Sequence, residues 1–185
     1  MNYYFDINLL SDAEIPSTVL MNAVCKKLHK LLCDLDSTRI GISFPKYKIT
    51  LGNVLRLHGT EFDFQKLHEV SWLGGMNGYC KISEVATVPV NTKHRTVYRK
   101  QPTMSQSKLK RLLKRGTITN DEVKSYKAKM VAEKGLNNPY LDLVSGTNCQ
   151  RHRRYIVLGE LLDEPVEGGF DQFGLSKTVT VPWFD

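Results

Sequence analysis

The first half of the chain alternates between strand-like and helix-like patterns of apolar residues. Apolar and polar residues alternate from Tyr4 to Leu9, which indicates a half-buried β-strand. The period then lengthens to that of a helix, whose apolar face is formed by Leu20, Val24, Leu28, Leu31 and Leu35. Pro16 suits the first turn of this helix because its fixed backbone angle is already helical.

Four further segments complete this half. They are two β-type runs at Arg39–Phe44 and Val54–His58, a helix at Phe62–Trp72, and a β-rich segment at Cys80–Val90. In the second helix we expect Phe62, Leu67 and Val70 to contribute to the core. The resulting order, β-α-β-β-α-β, is that of the ferredoxin-like unit, which recurs in many RNA-binding domains but does not by itself give function.

The second half has a different organisation. Its predicted elements are a strand at Thr96–Gln101, a basic helix at Met104–Arg115, a helix capped by Asn120, and strands at Tyr140–Val144, Arg153–Leu162 and Thr178–Trp183. Gly116 is expected to end the basic helix. We therefore predict an α+β protein with a ferredoxin-like (βαββαβ) domain at residues 1–91 and a smaller α+β domain with the basic helix at residues 92–185.

Positive charge is concentrated in one stretch. The formal net charge is +7, and nine Lys and Arg residues lie between Val85 and Asn120 without a single Asp or Glu. Such an uncompensated field repels itself unless a polyanion neutralises it, which favours a nucleic acid as partner. A hydrophobic fraction of 41% is sufficient for a packed core and argues against a disordered basic tail.

Other classes of protein lack support in the sequence. There is no signal-peptide pattern and no apolar run long enough to cross a bilayer. The four cysteines form neither a CxxC pair nor zinc-ligand spacing. We expect reduced thiols, a cytoplasmic protein, no membrane partner, and neither a metal nor another cofactor.

The basic helix is the first candidate for binding. Lys108, Arg111 and Arg115 share one face, and Lys114 lies on the adjoining face. A solvated surface helix is the alternative, but no Glu stands at the positions that would support an isolated charged helix. We expect contact with nucleic-acid phosphates.

Two shorter polar clusters are also suited to RNA. Arg99 and Gln101 project to the same side of a strand, and these residue types can pair with guanine and adenine through two hydrogen bonds each. A second basic cluster consists of Arg151, His152, Arg153 and Arg154, and His152 could stack on a base. Plain exposed polar side chains are the alternative in both places.

His29 and Ser145 could carry chemistry. His29 lies at the rim of the apolar helix face, where a neutral imidazole could take the proton of a ribose 2′-hydroxyl. Ser145 follows a strand in a Gly-containing loop that could hold a phosphate or a ribose. A structural histidine and an ordinary polar loop are the alternatives that the sequence leaves open.

Several sequence blocks, in order from end to end, resemble the CRISPR repeat-processing endoribonucleases of the type I-F system. The matching blocks are Tyr4–Ile7, Leu20-Met21, Lys27–His29, Arg39–Pro45, Gly168–Phe170, Gly174–Lys177 and Val181–Phe184. The resemblance implies a ferredoxin-like domain followed by a domain with an arginine-rich helix. It also implies metal-independent cleavage of precursor CRISPR RNA at the 3′ base of the repeat hairpin, which leaves a 2′,3′-cyclic phosphate.

The resemblance also implies roles for individual positions. His29 matches the presumed general base, Ser145 the serine that positions the attacking ribose, and Phe173 the position of an active-site tyrosine whose hydroxyl is absent here. The positions that match RNA-binding residues are Arg99, Gln101, Arg111, Lys114, Arg115 and, in place of a phenylalanine, His152.

The implied partners are the CRISPR repeat stem-loop RNA, on which the enzyme stays after cleavage, and other subunits of a type I-F guide-RNA surveillance complex. Two alternatives stay open at this point. One is a non-cleaving RNA-hairpin-binding subunit of a CRISPR ribonucleoprotein, which would differ only at the three catalytic positions. The other is a DNA-binding protein, which the lack of a helix-turn-helix or zinc motif disfavours.

Overall fold

The computed structural model describes residues 1–100, 106–134, 138–144 and 150–184. The described elements of the first half are β1 (Tyr3–Leu9), α1 (Ser17–Asp34), β2 (Gly41–Ser43), β3 (Val54–Gly59), α2 (Glu61–His68), a 3₁₀ helix (Gly74–Tyr79), β4 (Cys80–Ile82) and β5 (Ala86–Thr87). Those of the second half are β6 (Lys93–Lys100), α3 (Gln106–Lys114), α4 (Asn120–Lys134), β7 (Tyr140–Val144), β8 (Arg151–Leu158) and β9 (Thr180–Trp183). The predicted α+β class is confirmed.

The strands form two antiparallel sheets, one from each half of the sequence. The first has the order β2-β3-β1-β4, with β5 also paired to β1, and the second has the order β7-β8-β6-β9. The main elements of the first half follow one another as β-α-β-β-α-β, as the apolar pattern predicted. The break between the sheets falls near Asn91, which has a positive φ of 62°.

Helix α1 buries the apolar face that its leucine spacing predicted. Leu20, Val24 and Leu28 are all buried, while Leu35 lies beyond the helix end and is exposed. The core that receives this face draws residues from both sheets, including Phe5 of β1 and Val97 of β6. Because the two sheets share one core, α1 and its side chains are held between them.

Two of our core predictions for α2 were wrong. Phe62 and Val70 are exposed, at 56% and 43%, and Phe64 is buried instead, edge-to-face against Phe5. A capping box between Thr60 and Asp63 fixes where α2 begins. This start turns Phe64 and Leu67 inward, and the helix ends at His68 rather than at Trp72.

Helices α3 and α4 pack against each other around a small apolar cluster of Leu109, Tyr126 and Met130, which is separate from the main core. Gly116 ends the basic helix with φ = 65°, as predicted. Helix α4 begins at Asn120 rather than after it, and the Glu122 carboxylate accepts a hydrogen bond from the Thr119 backbone N–H at 2.7 Å. Of the described helices, none has the length and apolar composition needed to cross a membrane.

Four predicted strands are shorter than expected. Strand β2 covers only Gly41–Ser43 of the predicted Arg39–Phe44, and β9 begins at Thr180 rather than at Thr178. The segment Cys80–Val90 contains only the short strands β4 and β5, and Val90 is 89% exposed. Strand β8 ends at Leu158, before Gly159, and the exposed Leu162 forms only an isolated bridge with His94. Apolar residues near turn-forming Gly and Pro were therefore overcounted as strand residues.

Candidate active site

The half-buried His29 of α1 lies beneath the loop that joins β8 to β9. Its Nδ1 is 2.8 Å from the backbone oxygen of Gln172. A carbonyl oxygen can only accept a hydrogen bond, so Nδ1 must carry the hydrogen. In the neutral imidazole, the lone pair therefore belongs to Nε2, which is the nitrogen that can act as a base.

The loop above His29 is stabilised by the carboxylate of Asp171. Its Oδ1 accepts hydrogen bonds from the backbone N–H of Phe173 at 2.8 Å and of Leu175 at 2.9 Å. Gly174 has φ = 73°, and its carbonyl accepts a hydrogen bond from the Ile42 N–H of β2 at 2.9 Å. The loop is thus joined to the first sheet, and its position relative to α1 is determined.

Three side chains stack at this site. The ring of Phe173 lies parallel to that of His29, with centroids 3.6 Å apart and planes inclined by 16°. The guanidinium carbon of Arg154 is 3.5 Å from the centroid of the same phenyl ring. Two groups this close to one centroid cannot occupy the same face, so Phe173 lies between the imidazole and the guanidinium.

Cys33 lies one helical turn after His29, and its sulfur is 3.5 Å from Nδ1. The thiol also lies 3.2 Å from the side-chain oxygen of Gln172, to which it donates. Burial, with smaller contributions from Asp34 and Asp36, raises the pKa of the Cys33 thiol. Cys33 is therefore protonated at neutral pH and serves here as a hydrogen-bond donor rather than as a nucleophile.

The second sheet contributes two arginines to an open groove of about 440 Å³ beside this stack. Arg99 of β6 is opposite Ile156 of β8, and Arg154 precedes Ile156 by two positions, so both arginines lie on the same face of the sheet. The groove is lined by Tyr98, Arg99, Arg154, Gly169, Phe170, Asp171, Leu175, Ser176 and Lys177.

The remaining predicted binding residues lie on α3, directly after it, and at the start of β8. Lys108, Arg111, Lys114 and Arg115 are exposed, and Arg115 follows the last helical residue. His152 is half-buried and shares the face of Arg154, whereas Arg151 is exposed and points to the opposite face. The predicted Gln101 and Ser145 lie outside the described residues.

Sequence reasoning missed Cys33 and the Gln172 carbonyl as parts of the site, and it placed Arg154 in a basic cluster without a role of its own. Cys33 could have been noticed, because it stands four positions after His29 on a helix. The alternation of a strand could also have shown that Arg154 shares a face with His152. The carbonyl of Gln172 has no sequence signal, because every residue carries one.

No group of three or more His, Cys, Asp or Glu side chains within the described ranges is arranged to hold a metal ion. The described site thus consists of an imidazole with one hydrogen-bonded nitrogen, an aromatic ring, and a nearby pair of arginines. This combination of a potential base and cationic groups is suited to chemistry on a phosphate ester.

Comparison with known proteins gives the family. The model of the Cas_Csy4 family of CRISPR-associated proteins matches residues 4–184. The chain is 37% identical to the CRISPR-associated endonuclease Cas6/Csy4 of Escherichia coli (strain UTI89 / UPEC) over 185 residues, which is the full length of both chains. It is 36% identical to the protein of the same name from Pseudomonas aeruginosa (strain UCBPP-PA14), also over the full length of both. The predicted resemblance is confirmed, and the chain belongs to the Cas_Csy4 family of CRISPR-associated proteins.

Proposed function

We propose that this chain is an endoribonuclease that binds the CRISPR repeat hairpin and cleaves precursor CRISPR RNA at the 3′ base of the stem. Membership of the family and the names of the two full-length relatives support the reaction class. The observation that supports it most directly is the state of His29. Its Nδ1–H donates to the Gln172 carbonyl, so Nε2 carries the lone pair of the neutral ring.

Cleavage begins when Nε2 of His29 takes the proton from the ribose 2′-hydroxyl at the scissile position. The resulting 2′ oxygen attacks the adjacent phosphorus, and the P–O bond to the 5′ oxygen of the next nucleotide breaks. The leaving 5′ oxygen takes a proton from solvent, and the proton on His29 returns to solvent. The products are a 2′,3′-cyclic phosphate and a 5′-hydroxyl, and the reaction needs no metal. Ser145 positions the attacking ribose, while the Phe173 ring and the Gln172 carbonyl hold the imidazole.

Binding in this proposal depends mostly on phosphate contacts. Lys108, Arg111, Lys114 and Arg115 provide exposed cations on and directly after α3, which enters the deep groove of the stem near its end. Arg99 and Gln101 read bases at the foot of the stem, with Arg151 and His152 alongside. Affinity should therefore fall steeply with salt concentration.

The proposal extends to organisation and partners. Residues 1–91 form a ferredoxin-like domain that carries His29, and the order of their elements supports it. Residues 92–185 form the RNA-binding domain with the basic helix. The enzyme stays on its product hairpin in the cytoplasm and joins other subunits of a type I-F guide-RNA surveillance complex.

One feature favours a second candidate function. Phe173 stands where the sequence resemblance places a tyrosine, so the hydroxyl of that tyrosine is missing from the site. If that hydroxyl were needed for the chemical step, the protein would be a non-cleaving subunit that only holds the hairpin. The binding residues would be the same in both cases.

Cleavage of repeat-hairpin RNA in excess EDTA distinguishes these functions. Wild type should cut once at the stem base, and RNA with a 2′-deoxy sugar at the scissile position should bind without being cut. His29→Ala should bind and not cut, while His68→Ala, which changes an exposed histidine of α2, should cut normally. Tight binding without cleavage by the wild type would leave only the non-cleaving subunit. Absence of hairpin binding would exclude both.

A further inference from the structure

Arg154 is an unusual arginine because it is buried without full compensation. Only 11% of its side chain is accessible, and its ion pair with Asp171 is long, at 3.9 Å between Nη1 and Oδ2. Its Nε has no hydrogen-bond partner among the described residues. Buried charges in proteins are normally paired and hydrogen-bonded, so this one calls for a counterion.

A second arginine adds to the uncompensated positive charge. Arg99 lies on the same face of the sheet, and its Nε is likewise buried without a partner among the described residues. Burial and, to a smaller extent, the charge of Arg99 lower the pKa of Arg154 to about 10, against the opposing effect of Asp171. At neutral pH Arg154 is still charged, and the site contains two neighbouring cations.

Both arginines open onto one groove that also carries Lys177 and Ser176. Among the described residues that line it, Asp171 is the only acid, and its Oδ1 is already engaged by two backbone N–H groups. Three cations against one engaged carboxylate leave this groove positive. It lies next to the Phe173 ring, whose other face carries His29.

We propose that Arg154 forms a binding site for a backbone phosphodiester of the RNA, adjacent to the cleavage position and next to the base-reading Arg99. This inference rests on the proposed function. The planar guanidinium of Arg154, held against Phe173, presents its N–H groups to two phosphate oxygens at once. The phosphate supplies the negative charge that the buried arginine lacks in the free protein.

The site also links RNA binding to His29, the proposed general base. Phe173 contacts Arg154 on one face and His29 on the other, so a phosphate that fixes the guanidinium also fixes the ring against which the imidazole rests. Arg154 is thus a binding residue for the RNA and a positioning residue for His29. It touches neither the 2′-hydroxyl nor the leaving oxygen.

The test measures binding of a hairpin that is made uncleavable by a 2′-deoxy sugar. Single phosphates near the cleavage position are replaced one at a time by neutral methylphosphonates. We expect one replacement to weaken wild-type binding about tenfold or more, as for a lost hydrogen bond to a charged group. Arg154→Gln should weaken binding of the unmodified hairpin to the same extent and should be insensitive to that replacement.

Arg153→Gln is the matched control, because it removes the same charge from the next position of β8. Arg153 is exposed on the opposite face, over the ring of Tyr140. It should keep the wild-type sensitivity to the methylphosphonate. If Arg154→Gln responds to every methylphosphonate as the wild type does, the site is excluded while the proposed function stands. If the wild type does not bind the hairpin at all, both the phosphate site and the proposed function are excluded.

Thermal unfolding without RNA separates this role from a structural one. A buried arginine that lacks a full partner contributes little to stability, so Arg154→Gln should unfold at or above the wild-type temperature. If it unfolds at a lower temperature, Arg154→Lys provides the second variant, since it keeps the charge and loses the planar fork. Replacing the same phosphate by a methylphosphonate should then weaken hairpin binding less in Arg154→Lys than in the wild type. A loss of affinity as large as in the wild type would overturn the proposal.

Discussion

The imidazole of His29 lies flat against the phenyl ring of Phe173, with centroids 3.6 Å apart and an angle of 16° between the planes. The hydrogen bond from Nδ1 to the Gln172 carbonyl fixes the rotation of the imidazole within this stack. Ring contact and a backbone carbonyl thus orient the histidine without a side-chain hydroxyl at position 173. In the proposed reaction, the flat contact is what Phe173 supplies.

Removal of the Phe173 ring should therefore impair cleavage more than binding. Aromatic stacking contributes about 0.5–1.5 kcal/mol beyond burial, so Phe173→Ala should lower the single-turnover cleavage rate by up to about tenfold. Phe173→Tyr should keep at least the wild-type rate, because the stacked ring is retained. Phe62→Ala, which removes an exposed phenylalanine from α2, is the control. Wild-type cleavage by Phe173→Ala would show that the stack has no positioning role.

The conformation of Gly174 should be required for the same site. Its φ of 73° is unfavourable for other residues, and a Cβ there would lie 2.8 Å from Cγ2 of Ile42. Gly174→Ala should lower the free energy of unfolding by about 1–2 kcal/mol and reduce cleavage, because the loop would move away from His29.

Gly75→Ala is the matched control for that substitution. A Cβ at Gly75 would meet nothing within 4 Å, and no positive φ is involved. Chemical denaturation and single-turnover cleavage should both be close to wild type for this variant. Equal effects at the two glycines would mean that the strain at position 174 is not what matters.

The apolar pattern predicted α1 well because its buried face is long. Leu20, Val24, Leu28 and Leu31 extend over several turns, and only one helical phase buries all of them. Helix α2 has only eight residues, which is too short for the apolar pattern to determine which face is buried. Its phase is set by the Thr60–Asp63 capping box, which turns Phe64 inward in place of the predicted Phe62.

The residues of the candidate site also differ in how far the sequence could predict them. His29 could be proposed from sequence because its residue type and rim position point to a specific chemistry. The burial of Arg154 could not, since a strand with four consecutive basic or imidazole side chains, from Arg151 to Arg154, gives no sign of which ones point inward. Its contact with Phe173 arises from a loop that is distant in sequence, and short-range patterns do not encode such contacts.

The pairing of α3 with α4 should be the least stable part of the described structure. Its apolar cluster has only three buried residues, and Leu109 is the one that α3 contributes. Leu109→Ala should loosen the helix pair and weaken hairpin binding, since the cations of α3 would no longer be held in one arrangement. Hydrogen exchange should increase in both helices and not in β1 or β3.

Leu113→Ala provides the comparison within the same helix. Leu113 is 37% exposed, whereas Leu109 is 3% exposed, and the two substitutions remove the same side chain. Leu113→Ala should leave hydrogen exchange and hairpin affinity near their wild-type values. If it weakens binding as much as Leu109→Ala does, the effect comes from lost helix propensity or direct contact rather than from the apolar cluster.

His58 should make the protein sensitive to acid. It is fully buried in β3, where its Nε2 lies 2.8 Å from the hydroxyl of Ser43 and its Nδ1 has no hydrogen-bond partner among the described residues. Burial, followed by the charge of Arg56, lowers the pKa of His58 from 6.5 to about 3. Between these two values, the unfolded chain binds a proton at this residue and the folded chain does not.

The stability associated with this difference is complete above pH 6.5 and is lost as the pH falls towards 3. Each pH unit in that interval should lower the free energy of unfolding by up to about 1.4 kcal/mol through this one group. Urea denaturation between pH 7.5 and 4.5 gives the free energy of unfolding at each pH. The slope of this free energy against pH should be smaller for His58→Gln than for the wild type. His68→Gln, which changes an exposed histidine, should keep the wild-type slope. If His58→Gln also keeps it, the imidazole is protonated in the folded protein and its buried environment does not control acid stability.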